Sequence, residues 1–389
     1  MKITDVKTIL LKWKCSLMSD AISPNTVRQA LLVKVETDSG LYGIGEAFCY
    51  GSPLHVGKAI IEEQLAPHII GEDPENIEML WQRMYWRTIA NGRRGVVMAC
   101  ISGIDIALWD ILGKSLHRPI SVLLGKHQDK IPSYASGGFY APEKDLDKFR
   151  EEMERYVSKG YEAIKIKIGR NPDMGLNAIR YMANKDFGVS YEEDMKRISI
   201  AREVLGEGKF LAADINAAWT SQKVLQSIED FKKAGLDCLE EPIVFEDREG
   251  CQKIAAMPDM LLMGFETEQG CKNFARLIND NMVDIVQPDI GWGGGISELK
   301  KIGALAMAAS KPVSLHSFGS AVHFAASLQL AASFGNTFPI ESEENENALK
   351  TGITKSPFES DEHMNFYVPE GDGLGIDLDW DAIEKYRVE

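Results

Sequence analysis

The amino-acid sequence predicts an α/β protein whose larger part is a (β/α)8-type TIM barrel, preceded by a smaller α+β domain. Three observations predict it. The chain's 389 residues are too many for one compact core and too few for three ordinary domains. From residue 131 onward, eight short apolar runs recur at intervals of 22 to 31 residues, with one interval of 48. Amphipathic stretches rich in Lys, Glu and Asp separate them, as helices do in a βα repeat. An open doubly wound sheet also alternates strands and helices, but the count of eight and the regular period favour the barrel.

The first domain is expected over residues 1–125. Residues 2–12 and 28–37 alternate apolar and polar side chains, as half-buried strands do. Asp38-Ser39-Gly40 makes a turn and Leu41–Ala47 returns, giving a small antiparallel meander. Helical periodicity follows in His55–Leu65 and Pro74–Met84. It is strongest in Val96–Leu112, which is apolar nearly all round and therefore belongs in a core. The barrel is expected over 126–365, with strands at 131–136, 162–168, 210–216, 236–241, 261–266, 283–289, 311–316 and 338–342. The long interval contains 171–188, which reads as an inserted loop or short helix ahead of a helix at 191–205. Residues 366–389 form a C-terminal segment.

Composition narrows the function classes. With 44% hydrophobic and 26% charged residues the chain reads as a soluble globular protein, and no run of about 18 apolar residues suggests a membrane span. The N-terminus reads as a strand rather than a signal peptide. A net charge of −15 argues against nucleic acid as a partner, but not against a small anionic substrate, since local cations or a metal can dominate a site. The six cysteines are scattered without paired spacing, as free thiols of a cytoplasmic protein are.

The chemistry-bearing residues sit where the barrel strands end. Lys165 and Lys167, Asp214 and Asn216, Glu240 and Glu241, Glu266, Asp289, His316 and Glu341 all fall at or near such ends. In a barrel these positions converge on one rim, where so many ionisable groups are costly to desolvate unless they pair or bind metal. Asp214, Glu240 and Glu266 end three successive strands. Converging carboxylates repel one another and need a cation. Oxygen-only ligation selects Mg2+ first and Mn2+ second, and the lack of clustered Cys or His disfavours zinc. Glu268 has the same strand parity as Glu266 and is a rival third ligand. The alternative is that each carboxylate separately caps a helix or pairs with a surface lysine.

Lys165 and Lys167, at i and i+2 on a strand, leave the same face. Two adjacent ammoniums disfavour each other's charge, which lowers a lysine pKa toward the range of a base. His316 and Asp289 end neighbouring strands, and an Asp accepting from one imidazole nitrogen fixes the tautomer and raises the ring's basicity. His323, further on, reads as structural. Gly291–Gly295 lacks the Lys-Ser/Thr of a phosphate-binding loop and reads as a tight βα turn.

Several segments together resemble one family. ISGIDIALWDILGK (101–114), IKIKIG (164–169), ADIN (213–216), LEEP (239–242), VQPDIGWGGGISE (286–298) and LHSFGSAVH (315–323) are similar, in this order, to segments of the mandelate racemase/muconate lactonizing enzyme group of the enolase superfamily. The resemblance implies the modified (β/α)7β form of the barrel, with the N-terminal domain as a cap and the C-terminal segment packed back on it. It implies Asp214, Glu240 and Glu266 as Mg2+ ligands, although the usual Gly-Glu pair is here interrupted as Gly264-Phe265-Glu266. It makes Lys167 the base on one face of the substrate, and Lys165 a contact to the substrate carboxylate that tunes Lys167. His316, with Asp289, acts on the opposite face. Glu341 donates a hydrogen bond to the enolate and so has to be protonated, as a sheltered carboxyl can be. Glu343 and Glu344 are its near rivals. Asn216 is a further substrate contact.

The implied activity is removal of the proton α to a carboxylate, in the dehydration of an acid sugar. A racemase, epimerase or lactone cycloisomerase uses the same residues, and a non-catalytic ligand-binding barrel is the alternative from another class. A homo-oligomer is expected. The capping segments Lys14–Pro24 and Cys49–Ser52, read as exposed polar loops, are the candidates for specificity. Asp247–Met257 and 171–188 give no reading of the sugar.

Overall fold

The computed structural model describes residues 1–171 and 188–389, so the insertion expected at 171–188 lies, its end residues apart, outside the described residues. Strands β1 (Ile3–Ser19), β2 (Pro24–Thr37) and β3 (Tyr42–Ala47) form the antiparallel meander. The half-burial expected of them is exceeded in β2. Leu31, Val33 and Val35 pack toward the helices of the first domain, while Ala30 and Leu32 pack toward the barrel. Alternation there sorts side chains between two cores rather than between core and water.

The helix Val96–Leu116 lies against this sheet, buried through most of its length. By length and composition it would also pass as a membrane span, and burial inside the protein explains its apolar surface. Glycines allow its close approach. A Cβ at Gly45 would fall 2.0 Å from the carbonyl oxygen of Gly103 on that helix. Gly45→Ala is therefore expected to cost about 3 kcal/mol, the upper end of overpacking penalties, because the clashing atom is backbone and cannot rotate away. Urea unfolding measures this, and an unshifted midpoint would contradict the packing.

After β4 (Lys130–Ile131) come the strands of the second sheet: β5 (Ser133–Gly137), β6 (Ala163–Lys167), β7 (Phe210–Asp214), β8 (Cys238–Glu240), β9 (Leu261–Gly264), β10 (Ile285–Val286) and β11 (Ile340–Glu343). They run parallel in the order β10-β9-β8-β7-β6-β5-β11. Several of the helices between begin with side-chain caps, such as Asp145 on Lys148, Ser190 on Glu193 and Thr220 on Lys223.

One expected strand is not regular. The run 311–316 makes only isolated bridges, at Val313 and His316. Its backbone still bonds both neighbours: Ser314 N donates to Val286 O at 2.9 Å, and Phe338 N to Val313 O at 2.7 Å. Pro288, Pro312 and Pro339 lie in these segments and cannot donate, so the ladder is broken while the ring closes. Near the C-terminus β12 (Phe366–Tyr367) pairs with β4, and β13 (Arg387–Val388) pairs with β1 of the first sheet.

The segment Lys14–Pro24 is not the exposed loop expected. β1 continues to Ser19 and the turn at 20–23 tucks inward, with Ser19, Asp20 and Ala21 buried. Ser19 and Tyr140 exchange backbone hydrogen bonds of 2.8 and 2.9 Å, which tie the hairpin tip to the segment following β5. All six cysteines are unpaired.

Candidate active site

Parallel strands deliver their C-terminal residues to one rim, and the register here is tight. Lys167 is level with Asp214, and Asp214 with Glu240. Lys165, Lys167, Asp214, Glu240, Glu266, Asp289, His316 and Glu341 are all buried, none more than 7% exposed.

Asp214, Glu240 and Glu266 each present a carboxylate oxygen, and these lie within 4.8 Å of one another. Glu268 does not join them. It pairs with Arg94 at 2.5 Å and accepts from the Gln269 backbone. Burial pushes the Glu240 and Glu266 carboxyls well above their usual range; Lys165 pulls Glu240 back, and Glu241 and Asp214 push Glu266 further up. Oxygen Oε2 of Glu266 is buried without a hydrogen bond among the described residues. A buried acidic set with an orphaned oxygen and no sulfur or nitrogen ligand fits a hard divalent cation.

The two lysines neutralise part of this charge. Lys165 Nζ reaches Glu240 Oε1 at 2.5 Å and Glu341 Oε1 at 2.8 Å, and Lys167 pairs with Asp214. Here the sequence expectation of a lowered lysine pKa is corrected. Burial lowers both, and Lys165 lowers Lys167 further. Attraction to Asp214, Glu240 and Glu341 outweighs these effects and holds both ammoniums above their ordinary range.

On the other side, His316 Nδ1 lies 2.6 Å from Asp289 Oδ2, and its Nε2 is 3.3 Å from both Glu266 Oε2 and Glu341 Oε2. Burial lowers the imidazole, but Glu341 and Asp289 more than restore it, so the ring is raised. Asp289 is held down at about 2 despite burial, because both His323 and His316 face it. The expectation of a protonated Glu341 is likewise corrected. Burial favours the neutral acid, but Lys165 and His316 hold it ionised, well below the usual range, and Ser317 N donates to it at 3.0 Å. Its near rivals are engaged elsewhere: Glu343 with Arg28, and Glu344 with Lys159 at 2.6 Å.

Asn216 follows β7 with a positive φ of 46°. Its backbone N–H donates to Asp214 Oδ1 at 2.8 Å, while its own Oδ1 is buried without a partner among the described residues. The glycine run 291–295 forms the turn after Asp289, whose Oδ1 accepts from Gly291 N at 2.7 Å and Trp292 N at 2.9 Å.

Two residues the sequence reading passed over, Gln287 and Glu46, belong to this network together with His323. Gln287 donates to Glu240 Oε2 at 3.0 Å, and it stands two residues before Asp289 in the run 283–289 read as a strand, a parity that would have found it. His323, read as structural, puts Nε2 3.0 Å from Asp289 Oδ1. Glu46 on β3 accepts from the backbone N–H groups of Ser320 and His323. It lies 277 residues from His323, so no local pattern marks it. Over the rim, Phe48 and Tyr50 from the segment after β3 stack against one another, and Phe48 lies 6.2 Å from the His316 ring.

Comparison with known proteins covers both parts of the fold. Residues 148–382 match the family described as enolase C-terminal domain-like, and residues 4–125 match the mandelate racemase/muconate lactonizing enzyme N-terminal domain. Arabinonate dehydratase of Saccharolobus solfataricus is 35% identical over 92% of this chain and 91% of its own. D-galactarolactone cycloisomerase of Agrobacterium fabrum is 32% identical, over 100% of this chain and 99% of its own. The crystal structure of 3,6-anhydro-D-galactonate cycloisomerase from Zobellia galactanivorans superposes with a TM-score of 0.85 at 30% identity, covering 100% of both chains.

Proposed function

The chain belongs to the mandelate racemase/muconate lactonizing enzyme group of the enolase superfamily, and on that premise we propose that it dehydrates an acid sugar, an aldonate or aldarate, to a 2-keto-3-deoxy acid. The observation that carries the reading is the buried carboxylate set flanked by a lysine pair on one side and an Asp-held imidazole on the other. Asp214, Glu240 and Glu266 would hold Mg2+, with Mn2+ as a substitute, and the bound ion supplies positive charge at the substrate carboxylate.

The protein's own groups do the rest. Lys165 donates to a carboxylate oxygen of the substrate. Lys167 takes the α-proton from one face; with Asp214 holding a cation it would lose the partner that keeps it protonated. His316 delivers a proton from the other face to the departing β-hydroxyl, so hydroxide leaves as water and the double bond forms between the α- and β-carbons. The enol product then rearranges to the keto acid. Asp289 keeps the imidazole oriented, with its second oxygen held by His323.

The cycloisomerase reading has its own support, since a relative with that activity matches end to end. Racemases and epimerases would use the same two sides. The experiment is a screen of aldonates and aldarates with Mg2+ for 2-keto-3-deoxy acid. A keto acid from at least one diastereomer is the expected result. Inversion or lactone isomerisation without any keto acid would replace dehydration with the second reading.

A further inference from the structure

Resting on that acid-sugar reading, we infer that the enzyme prefers a monocarboxylic acid sugar, an aldonate, to the dicarboxylic aldarate of the same configuration. The argument lies in a cavity of about 310 Å³ between the capping hairpin and the barrel, lined by Asn25, Arg28, Phe48, Tyr50, Phe318 and Asn347 among others. It adjoins the reaction centre. The rings of Phe48 and Phe318 lie 6.2 and 6.4 Å from that of His316. Glu343 follows Glu341 by two residues on β11, so both leave the same face, with Glu343 about 6.6 Å further toward the mouth. A chain held by its carboxylate at the metal site and its α-carbon between Lys167 and His316 would extend its far end into this space.

Arg28 is the only charged side chain among the described residues lining the cavity, and its charge is already matched. Its guanidinium is ion-paired with Glu343, both side chains are buried, and it lies 4.1 Å over the Phe318 ring. Hydrogen-bonding capacity does remain. Arg28 Nε and Asn25 Nδ2 are buried donors without a partner among the described residues. Tyr50 Oη donates to Asn25 Oδ1 at 2.7 Å and keeps lone pairs of its own. A sugar hydroxyl can accept from those donors and donate to Tyr50. A second carboxylate can only accept. It would also enter, desolvated, beside Glu343, a carboxylate that already engages Arg28 and faces the buried Lys350.

The test uses matched pairs: D-gluconate with D-glucarate, D-galactonate with galactarate, and D-xylonate with xylarate. Affinity is measured by calorimetry with Mg2+, and kcat/KM for keto-acid formation in parallel. The best aldonate is expected to exceed its aldarate at least about 100-fold in both. Glu343→Gln frees the Arg28 charge and is expected to narrow that ratio at least about tenfold. In the double variant Arg28→Gln with Glu343→Gln the ion pair is removed whole, and the aldonate keeps its lead even if the single variant folds poorly. An aldarate bound as tightly as its aldonate by the unmodified enzyme overturns the inference, as does an unchanged ratio in folded Glu343→Gln. Selective aldonate binding without keto acid would sink the dehydratase reading while leaving the charge preference standing. No binding by either series overturns both.

Discussion

Lys167→Ala is expected to slow exchange of the substrate's α-proton into deuterated water by about 10²–10⁴-fold, the usual worth of a positioned base. His316→Asn is expected to stop turnover to a similar degree while leaving measurable exchange. The asymmetry follows from the geometry. Lys167 sits beside Asp214 on the β6–β7 side, whereas His316 reaches the centre from the segment between β10 and β11, held by Asp289 at 2.6 Å. In a dehydration only the group that removes the α-proton controls exchange, and only the group that protonates the leaving hydroxyl controls departure. In a racemase the two variants would each block exchange of one enantiomer instead. Exchange at the unmodified rate in both variants would leave neither residue as the base. Nuclear magnetic resonance of the α-proton with any substrate found in the screen makes the measurement.

Chelation of divalent metal is expected to abolish turnover, and Mg2+ to restore it. The accompanying stability change is more diagnostic, because it does not depend on knowing the substrate. A cation that binds the folded protein alone adds about 2.7 kcal/mol at a hundredfold excess over its dissociation constant, read as a rise in melting temperature. Glu266→Gln should nearly eliminate that rise. It should also make the metal-free protein no less stable, and by direction more stable. The reason is that Glu266 is pushed toward its neutral form by burial and by Glu241 and Asp214, and its Oε2 has no hydrogen bond among the described residues. Removing one of several mutually repelling buried carboxylates relieves the metal-free state while depriving the cation of a ligand. A Mg2+-dependent rise that survives Glu266→Gln undiminished would exclude Glu266 as a ligand, and a fall in metal-free stability would mean that its 3.3 Å contact with His316 Nε2 outweighs the repulsion among the carboxylates.

Much of the barrel was legible because its signals are local. Strand positions follow from short apolar runs, and the ends of β6, β7 and β8 carry Lys167, Asp214 and Glu240 in plain view. The seventh run was legible as an extended segment but not as an irregular one, since only the meeting of Pro288, Pro312 and Pro339 from separate segments breaks the ladder. Parity could not separate Glu266 from Glu268, because two residues along a strand point the same way. Their neighbours do separate them: Asp214 and Glu240 stand near the first, Arg94 near the second.

What the sequence determined by itself was therefore the order and type of the elements and the residue types at each strand end. Periodicity and turn chemistry act over a few positions, so one chain is enough to read them. Charge states were decided only by the tertiary structure. A lysine pair predicts lowered pKa values in isolation, yet Lys165 and Lys167 stand among carboxylates brought from strands as much as 176 residues away, such as Glu341, and are held protonated. Arg28 and Glu343, 315 residues apart, cancel each other's charge for the same reason. Electrostatic energy depends on distance through space and on burial, and neither is written in the spacing of residues along the chain.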